Sequence, residues 1–198
     1  INLAASGATL KEIRHWQLVG KQSFTPGWSA HRGKLLWQLE YGTPRSLARV
    51  MRRIDHDYCG DDFINYVLRP LNKWLREDNR VGAARRLTRF HETVLNRARC
   101  MMRQAYRNKM VPLFLEAVSV SDETDVWLGA IRLTRQGFDV ELSSQVKDTP
   151  AVSQYCYEHH LLWCGTGISR SRHSEFLEKL DAGQPIRLCG PDTRITLS

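Results

Sequence analysis

Long apolar runs are missing from this sequence. No stretch approaches the about 20 apolar residues that a membrane-spanning helix requires. The first residues, INLAASGATLKEIRHW, are amphipathic and lack the apolar block of a secretory signal peptide. The first residue is Ile rather than Met, so we expect the chain to begin inside a longer protein. A membrane partner is therefore not predicted.

The sequence also lacks a regular cysteine framework. Its 5 cysteines are odd in number and irregularly spaced, at Cys59, Cys100, Cys156, Cys164 and Cys189. A disulfide-stabilised secreted domain usually has an even number at regular spacings. The pattern favours reduced thiols in a cytoplasmic protein.

A phosphate-binding loop is absent after the first predicted strand. VPLFLEAV is followed by SVSDETD, which has no glycine-rich turn that would let a phosphate approach the backbone. A second candidate, Gly165-Thr166-Gly167, follows a later strand and precedes a helix. It is compatible with an anion site, but a tight turn explains it better.

A cluster of cysteines and histidines lies around the third predicted strand. Cys156, His159, His160 and Cys164 have the ligand types of a zinc site, but His160 and Cys164 would straddle a buried strand and no second cysteine pair is nearby. The alternative is a reduced core cysteine and a pair of surface histidines. We therefore predict no metal site.

No pair of nucleophile and base stands out either. Ser169, Ser171 and His173 lie near a predicted helix start, where serine is expected as a cap. No strained nucleophile turn surrounds them. The sequence thus predicts no reaction centre, and we expect a protein that is not an enzyme.

Charge is distributed unevenly along the chain. Residues 1–109 contain 21 Lys/Arg and 9 Asp/Glu, whereas residues 110–198 contain 8 and 12. This difference suggests two functional units. The basic half would attract nucleic acid through its electrostatic field. An arginine-rich helical surface that is simply exposed to solvent explains the charge equally well.

Hydrophobic periodicity changes at about residue 110. A helix is predicted from Thr9 to about Gly20, and four more helices are predicted between residues 26 and 109, as in an antiparallel bundle. Pro70 is expected to kink the third of these. From residue 110, short apolar strands alternate with helices, which predicts a parallel α/β unit. A short helix is expected over Ala151–His159.

The opening of the chain resembles the end of the winged-helix DNA-binding domain in MerR-family transcription regulators. The stretch LAASGATLKEIRHWQL fits the closing helix-turn-helix of that domain through Gly7, Leu10, Glu12, Ile13, Arg14 and Leu18. The remainder resembles the cobalamin-sensing branch of the family and is most similar to its MlrA-type members, which are linked to biofilm control. The matching stretches are LRPL before Trp74, VWLGAIRLTRQGFDVELSS and LLWCG.

This resemblance implies a four-helix bundle followed by a small Rossmann-like or flavodoxin-like parallel sheet domain that resembles a cobalamin-binding domain. The expected boundaries are 1–21 for the remnant of the winged helix, 22–109 for the bundle and 110–198 for the α/β effector domain. It also implies a homodimer that binds DNA mainly through a preceding domain, with Lys11 and Arg14 contacting phosphates at its margin. A regulatory protein is a further possible partner.

The motifs that would hold cobalamin are degenerate. The family pattern W-x9-E-H matches at Trp74, but its Glu and His fall on Ala84 and Arg85. The pattern D-x-H-x-x-G matches at Asp122, with Thr124 in place of the cobalt-ligating His. Trp127 replaces the Gly of the same pattern. We therefore expect no cobalamin and no other cofactor.

Two alternative functions stay open at this point. One is a small-molecule sensor that uses the crevice between bundle and α/β domain for a ligand other than cobalamin. The other is a corrinoid carrier subunit of a methyltransferase, which the missing cobalt ligand and the MerR-like start argue against.

Overall fold

The computed structural model describes residues 27–118, 120–143, 157, 159–164, 170–183 and 186–189. The predicted helix from Thr9, and with it Lys11 and Arg14, lies outside these residues. The first part of the described chain forms four α-helices, namely α1 (Trp28–Tyr41), α2 (Pro44–His56), α3 (Arg69–Glu77) and α4 (Ala83–Arg107). None of the described helices is long and apolar enough to cross a membrane.

Helix α2 begins where its local sequence dictates. Thr43 caps it by accepting a hydrogen bond from the backbone N–H of Ser46 at 3.1 Å. Ser46 in return accepts from the N–H of Thr43 at 2.9 Å, which completes a capping box. Pro44 occupies the first turn, where its missing N–H is not needed.

The distortion expected at Pro70 takes the form of a π-helical turn, Ile64–Leu68, directly before α3. The N–H of Arg69 donates to the carbonyl of Ile64, five residues earlier. A proline cannot donate the bond that would continue a regular helix, and a wider turn before it relieves the mismatch.

The four helices enclose an apolar core. Helices α1 and α2 contribute residues spaced three or four apart, which is the spacing of one helix face. The largest fully buried side chains of the bundle are Leu35, Leu39, Leu47, Met51, Phe63, Ile64, Leu68, Leu71, Leu75 and Phe90.

The second part of the chain contains β1 (Val111–Val118), α5 (Glu123–Arg135), β2 (Phe138–Leu142), β3 (His159–Cys164), α6 (Arg170–Asp181) and β4 (Ile186–Cys189). The four strands form a parallel sheet with the order β2-β1-β3-β4. The expected fold class, a helical bundle followed by a small parallel sheet, is confirmed. Gly137 ends the turn after α5 with a φ of 98°, a conformation that glycine adopts without strain.

The helix predicted over Ala151–His159 is wrong at its last residue. His159 is the first residue of β3 and pairs with Leu113 of β1. Pairing with a distant strand outweighs the local pattern there. Residues 151–156 lie outside the described part of the chain.

Helix α5 joins the two halves because both of its faces are buried. Leu128 and Ile131 belong to the apolar core of the bundle. Val126 and Ala130 belong to the core beneath the sheet. The α/β half is therefore packed against the bundle mainly through this helix, and α4 also contacts β2 directly.

Candidate functional site: the crevice between bundle and sheet

A crevice of about 440 Å³ lies where the bundle faces the carboxyl ends of the strands. Helix α3 lines one side with Arg69, Asn72 and Arg76, while Asp122 and the nearly buried ring of Trp163 line the other. In open parallel sheets, ligands bind at this edge. The crevice is consequently the first place to look for a functional site.

Asp122 is held by contacts from both sides of the crevice. Its Oδ1 caps α5 by accepting hydrogen bonds from the N–H groups of Thr124 at 3.1 Å and Asp125 at 3.3 Å. Its Oδ2 accepts from Nδ2 of Asn72 at 2.6 Å, and Arg76 lies 3.5 Å from its Oδ1. The residue therefore ties the start of α5 to helix α3.

A second bridge crosses the crevice beside the first. Nε of Arg69 donates to Oδ1 of Asp125 at 3.0 Å. Burial raises the pKa of Asp125, and the charge of Arg69 opposes this rise. The pair compensates a carboxylate that would otherwise be costly to bury.

Asn72 has one polar atom left over. Its side chain is buried, and Oδ1 has no hydrogen-bond partner among the described residues. An unsatisfied buried acceptor costs about 1–3 kcal/mol. Asn72 therefore carries, next to the crevice, an acceptor for which the described residues provide no donor.

Thr124, at the position where the family carries the cobalt ligand, is only 5% exposed. Its Oγ1 lies 2.9 Å from Nδ1 of His91 on α4. Both groups are thus engaged with each other across the contact between α4 and α5. A hydroxyl is a poor ligand for cobalt compared with imidazole.

The degenerate positions of the bundle lie apart from the crevice lining. Trp74 packs against Trp28, with ring centroids 5.5 Å apart, and the guanidinium of Arg80 covers the Trp74 ring at 4.6 Å. Arg85 donates to the carbonyl oxygen of Glu40 at 2.6 Å. Ala84 lies in the first turn of α4 and provides no polar side chain.

Trp127 also faces away from the crevice lining. Its partly buried ring packs against the bundle core, with the guanidinium of Arg99 at 6.0 Å. The structure therefore brings Asp122 to the crevice, buries Thr124 beside it, and places Trp74, Arg85 and Trp127 elsewhere. The cobalamin-binding pattern requires a Glu and a His in the bundle and a cobalt-ligating His after β1. The residues present at these positions do not provide these groups and therefore do not fit cobalamin.

The other sequence candidates are scattered. His160 is partly buried and its Nε2 lies 2.9 Å from Oε2 of buried Glu116, so it is not one of a pair of surface histidines. Within the described ranges, no group of three or more His, Cys, Asp or Glu residues could hold a metal ion. Cys156, Ser169 and the Gly165–Gly167 turn lie outside those ranges, while His173 is exposed on α6.

Sequence reasoning did not single out Asn72, Arg69 or His91. Each lies on a bundle helix and meets its partner through contacts more than 30 residues apart in the chain. A signal was nevertheless present for Asn72, since it is a polar residue between Leu71 and Leu75 on the buried side of α3.

The fold and the crevice are typical of proteins in which a helical bundle supports a small parallel α/β domain with a cleft at the ends of its strands. Residues 112–186 match the family described as transcriptional regulator MlrA, C-terminal domain. The match begins in β1 and ends at the first residue of β4, so it covers the α/β half. No curated protein matches the chain. The second half of the chain is therefore similar to a domain of a transcription regulator.

Proposed function

We propose that this chain is the sensory and interaction part of a cytoplasmic, MerR-type transcription regulator that has lost cobalamin binding. The observation that carries the proposal is the match of residues 112–186 to the C-terminal domain of the transcriptional regulator MlrA. The order of the elements, a helical bundle followed by a parallel sheet, supports it. A role in regulation rather than catalysis follows from the same match.

The loss of cobalamin binding is supported by the contacts of two residues at the pattern positions, the replacement Thr124 and the retained Asp122. Thr124 is bonded to His91, and Asp122 is bonded to Asn72. Both contacts join the α/β domain to the bundle. The positions that would hold the cofactor therefore serve to hold the two parts of this chain together.

DNA binding is assigned by resemblance to a winged-helix domain of which residues 1–21 would be the end. Lys11 and Arg14 would then contact phosphates and position the protein without specifying the sequence. A homodimer on a two-fold operator belongs to the same proposal.

The proposal is tested in cells that contain the protein at its natural level. Crosslinked DNA is immunoprecipitated with the protein, and transcripts are compared between the parent strain and a deletion strain. We expect enrichment at promoters whose transcripts change in the deletion strain. Absence of enriched promoters, with the protein shown to be present, would contradict a role in transcription.

A second function, a small-molecule sensor in the crevice, is favoured by one specific observation. Asn72 lines this cavity of about 440 Å³, and its buried Oδ1 has no hydrogen-bond partner among the described residues. A ligand with an N–H or O–H donor would satisfy this acceptor.

Native mass spectrometry of protein purified from its own cells tests the sensor function. A co-purifying small molecule that is retained by the wild type and lost from Asn72→Leu would support it. Asn96→Leu, which changes an exposed asparagine of α4, is the matched control. An unliganded protein that keeps its promoter occupancy would argue for the first function instead.

A further inference from the structure

A second groove, of about 850 Å³, runs between the end of helix α4 and the edge strand β2. In the described part of the chain β2 pairs with β1 alone, so its other side, called here the open edge, meets no other described strand. Four consecutive residues of β2, Asp139–Leu142, line the groove. Because neighbouring side chains in a strand point to opposite faces, a groove lined by four in succession follows the strand edge.

On the side of this groove, the backbone groups of β2 have no hydrogen-bond partner among the described residues. Val111 N–H donates to the carbonyl of Gly137, and Ser143 N–H donates to the carbonyl of Leu115. Along a strand, the backbone N–H and C=O groups of successive residues point alternately to one side and to the other. These two bonds show that the backbone groups of residues 139 and 141 point toward β1. The N–H and C=O groups of Phe138, Val140 and Leu142 then point to the open edge.

The wall opposite the strand is basic. Arg99, Arg103 and Arg107 follow one another at intervals of four residues on α4 and line the groove. Arg103 and Arg107 are exposed, and neither makes an ion pair with another described residue. Between the two walls, Met102 and Trp127 provide apolar surface.

The strand itself adds charge of the other sign. Asp139 and Glu141 share the face of β2 opposite to Val140. Burial, followed by the charge of Glu141, raises the pKa of Asp139. Glu141 accepts a hydrogen bond from the hydroxyl of Tyr157, and a cation placed beside Asp139 would relieve the repulsion between the two carboxylates.

We propose that the open edge of β2 binds an extended peptide segment of a partner protein by adding a strand to the sheet. The bound segment alternates between two kinds of side chain. Those on the side of α4 are acidic or apolar and meet Arg99, Arg103 and Trp127. Those on the other side are basic or hydroxyl-bearing and meet Asp139 and Glu141. Main-chain hydrogen bonds supply affinity, and the alternation supplies specificity.

A second copy of this chain fits the edge less well. Antiparallel pairing of β2 with itself around Val140 would place Asp139 directly opposite Glu141 of the other copy. Like charges directly opposite each other destabilise a strand pair. The charges that would admit a complementary peptide thus discourage self-association.

This inference deepens the proposed function and rests on it for the biological role, since a regulator requires a partner. Its test is nevertheless a direct binding measurement. Promoter occupancy without peptide binding would overturn only the strand-edge site. Peptide binding without promoter occupancy would overturn only the role in transcription.

The experiment uses the whole chain and a labelled peptide, Glu-Thr-Val-Lys-Glu-Thr-Val-Lys, in fluorescence anisotropy. The comparison peptide has the same composition in blocks, Glu-Glu-Val-Val-Thr-Thr-Lys-Lys. We expect saturable binding of the alternating peptide and at least about fivefold weaker binding of the block peptide, because only alternation places both charges correctly. Equal affinity for the two peptides, or no binding at about 1 mM, overturns the proposal.

Three variants locate the site. Arg103→Glu should weaken binding by about fivefold or more, because it turns an attraction into a repulsion. Arg53→Glu makes the same charge change on the exposed surface of α2 and should leave binding unchanged. Leu142→Pro removes an N–H at the open edge and should abolish binding, with a thermal melt to verify the fold. Equal effects of Arg103→Glu and Arg53→Glu would overturn the assignment to this groove.

Discussion

The hydroxyl of Thr124 and the imidazole of His91 are hydrogen-bonded, with Oγ1 and Nδ1 2.9 Å apart. Thr124 lies in the first turn of α5, and His91 lies in the first half of α4. The bond therefore fastens the α/β half to the bundle at the position where the related pattern carries a cobalt ligand. A histidine at residue 124 would lack the hydroxyl that forms this hydrogen bond with His91.

The first prediction is that the protein does not retain cobalamin. Thr124 is committed to His91, and Ala84 and Arg85 supply neither the Glu nor the His of the bundle pattern. The chain is incubated with adenosylcobalamin or methylcobalamin and passed through a desalting column. We expect no corrin absorbance in the protein fraction and hence no light response through this cofactor.

The variant Thr124→His is the control for this prediction. We expect it to remain unable to retain cobalamin, because the bundle positions and Trp127 still depart from the pattern. Co-elution of about one equivalent of corrin with the wild type would show the prediction to be wrong.

The second prediction concerns the contact of Gly129 with Trp163. A Cβ atom at residue 129 would lie 2.6 Å from Cζ3 and 2.9 Å from Cη2 of the indole, which is buried. Gly129→Ala should therefore lower the free energy of unfolding by about 1–3 kcal/mol through overpacking. Urea denaturation at neutral pH measures the difference.

Gly33→Ala is the matched control for Gly129→Ala. Gly33 is also inside a helix, but a Cβ there meets nothing within 4 Å. Alanine should therefore raise the free energy of unfolding, by up to about 1 kcal/mol, through its higher helix propensity. The same sign of change in both variants would contradict the packing of α5 on Trp163.

The third prediction is a pH dependence that originates at Asp78. Hydrogen bonds from Arg80 at 2.8 Å and from Arg86 at 2.7 Å hold the pKa of this buried carboxyl well below its ordinary range. A depressed pKa in the folded state adds stability above the unfolded pKa, and this stability is lost as the pH falls toward the folded pKa. The gain is thus complete above about pH 5 and declines below about pH 4.

Asp78→Asn should accordingly be less stable than the wild type at neutral pH. The gap between the two should narrow as the pH is lowered below about 4, because the carboxyl of the unfolded wild type then binds a proton while the folded protein still holds it charged. Urea melts at a series of pH values measure the gap. Glu92→Gln, at an exposed position of α4, is the control and should give a small difference at every pH. If the difference in free energy of unfolding between the wild type and Asp78→Asn grew in acid, the predicted direction of the pH dependence would be wrong.

The fourth prediction is that this chain alone binds DNA weakly and without sequence preference. Helix α2 exposes Arg45, Arg49, Arg52 and Arg53, which can contact phosphates, and phosphate contacts carry no sequence information. With about four phosphate contacts, affinity should fall about a hundredfold between ~50 and ~200 mM salt. Competition between operator and scrambled duplexes measures preference.

Charge reversal at Arg49 and Arg53 provides the control for DNA binding. The double variant should bind more weakly and show a shallower dependence on salt, because two contacts are lost. Strong discrimination between operator and scrambled DNA by the chain alone would contradict the prediction.

The boundaries of several helices and strands follow from neighbouring residues in the sequence. Thr43-Pro44 marked the start of α2 because a capping side chain and a fixed φ act within one turn. The apolar run of β1 and Gly137 after α5 marked further boundaries for the same reason. From these elements and their order, a bundle followed by a parallel sheet could be predicted.

The arrangement of residues around the crevice depends on tertiary contacts. Asn72 meets Asp122 and His91 meets Thr124 because folding brings together residues distant in the chain. No periodicity shows that Trp127 packs on the bundle or that the outer edge of β2 lies open beside Arg103. Helix and strand starts are set by neighbours within a few residues, whereas a site depends on which distant surfaces pack together.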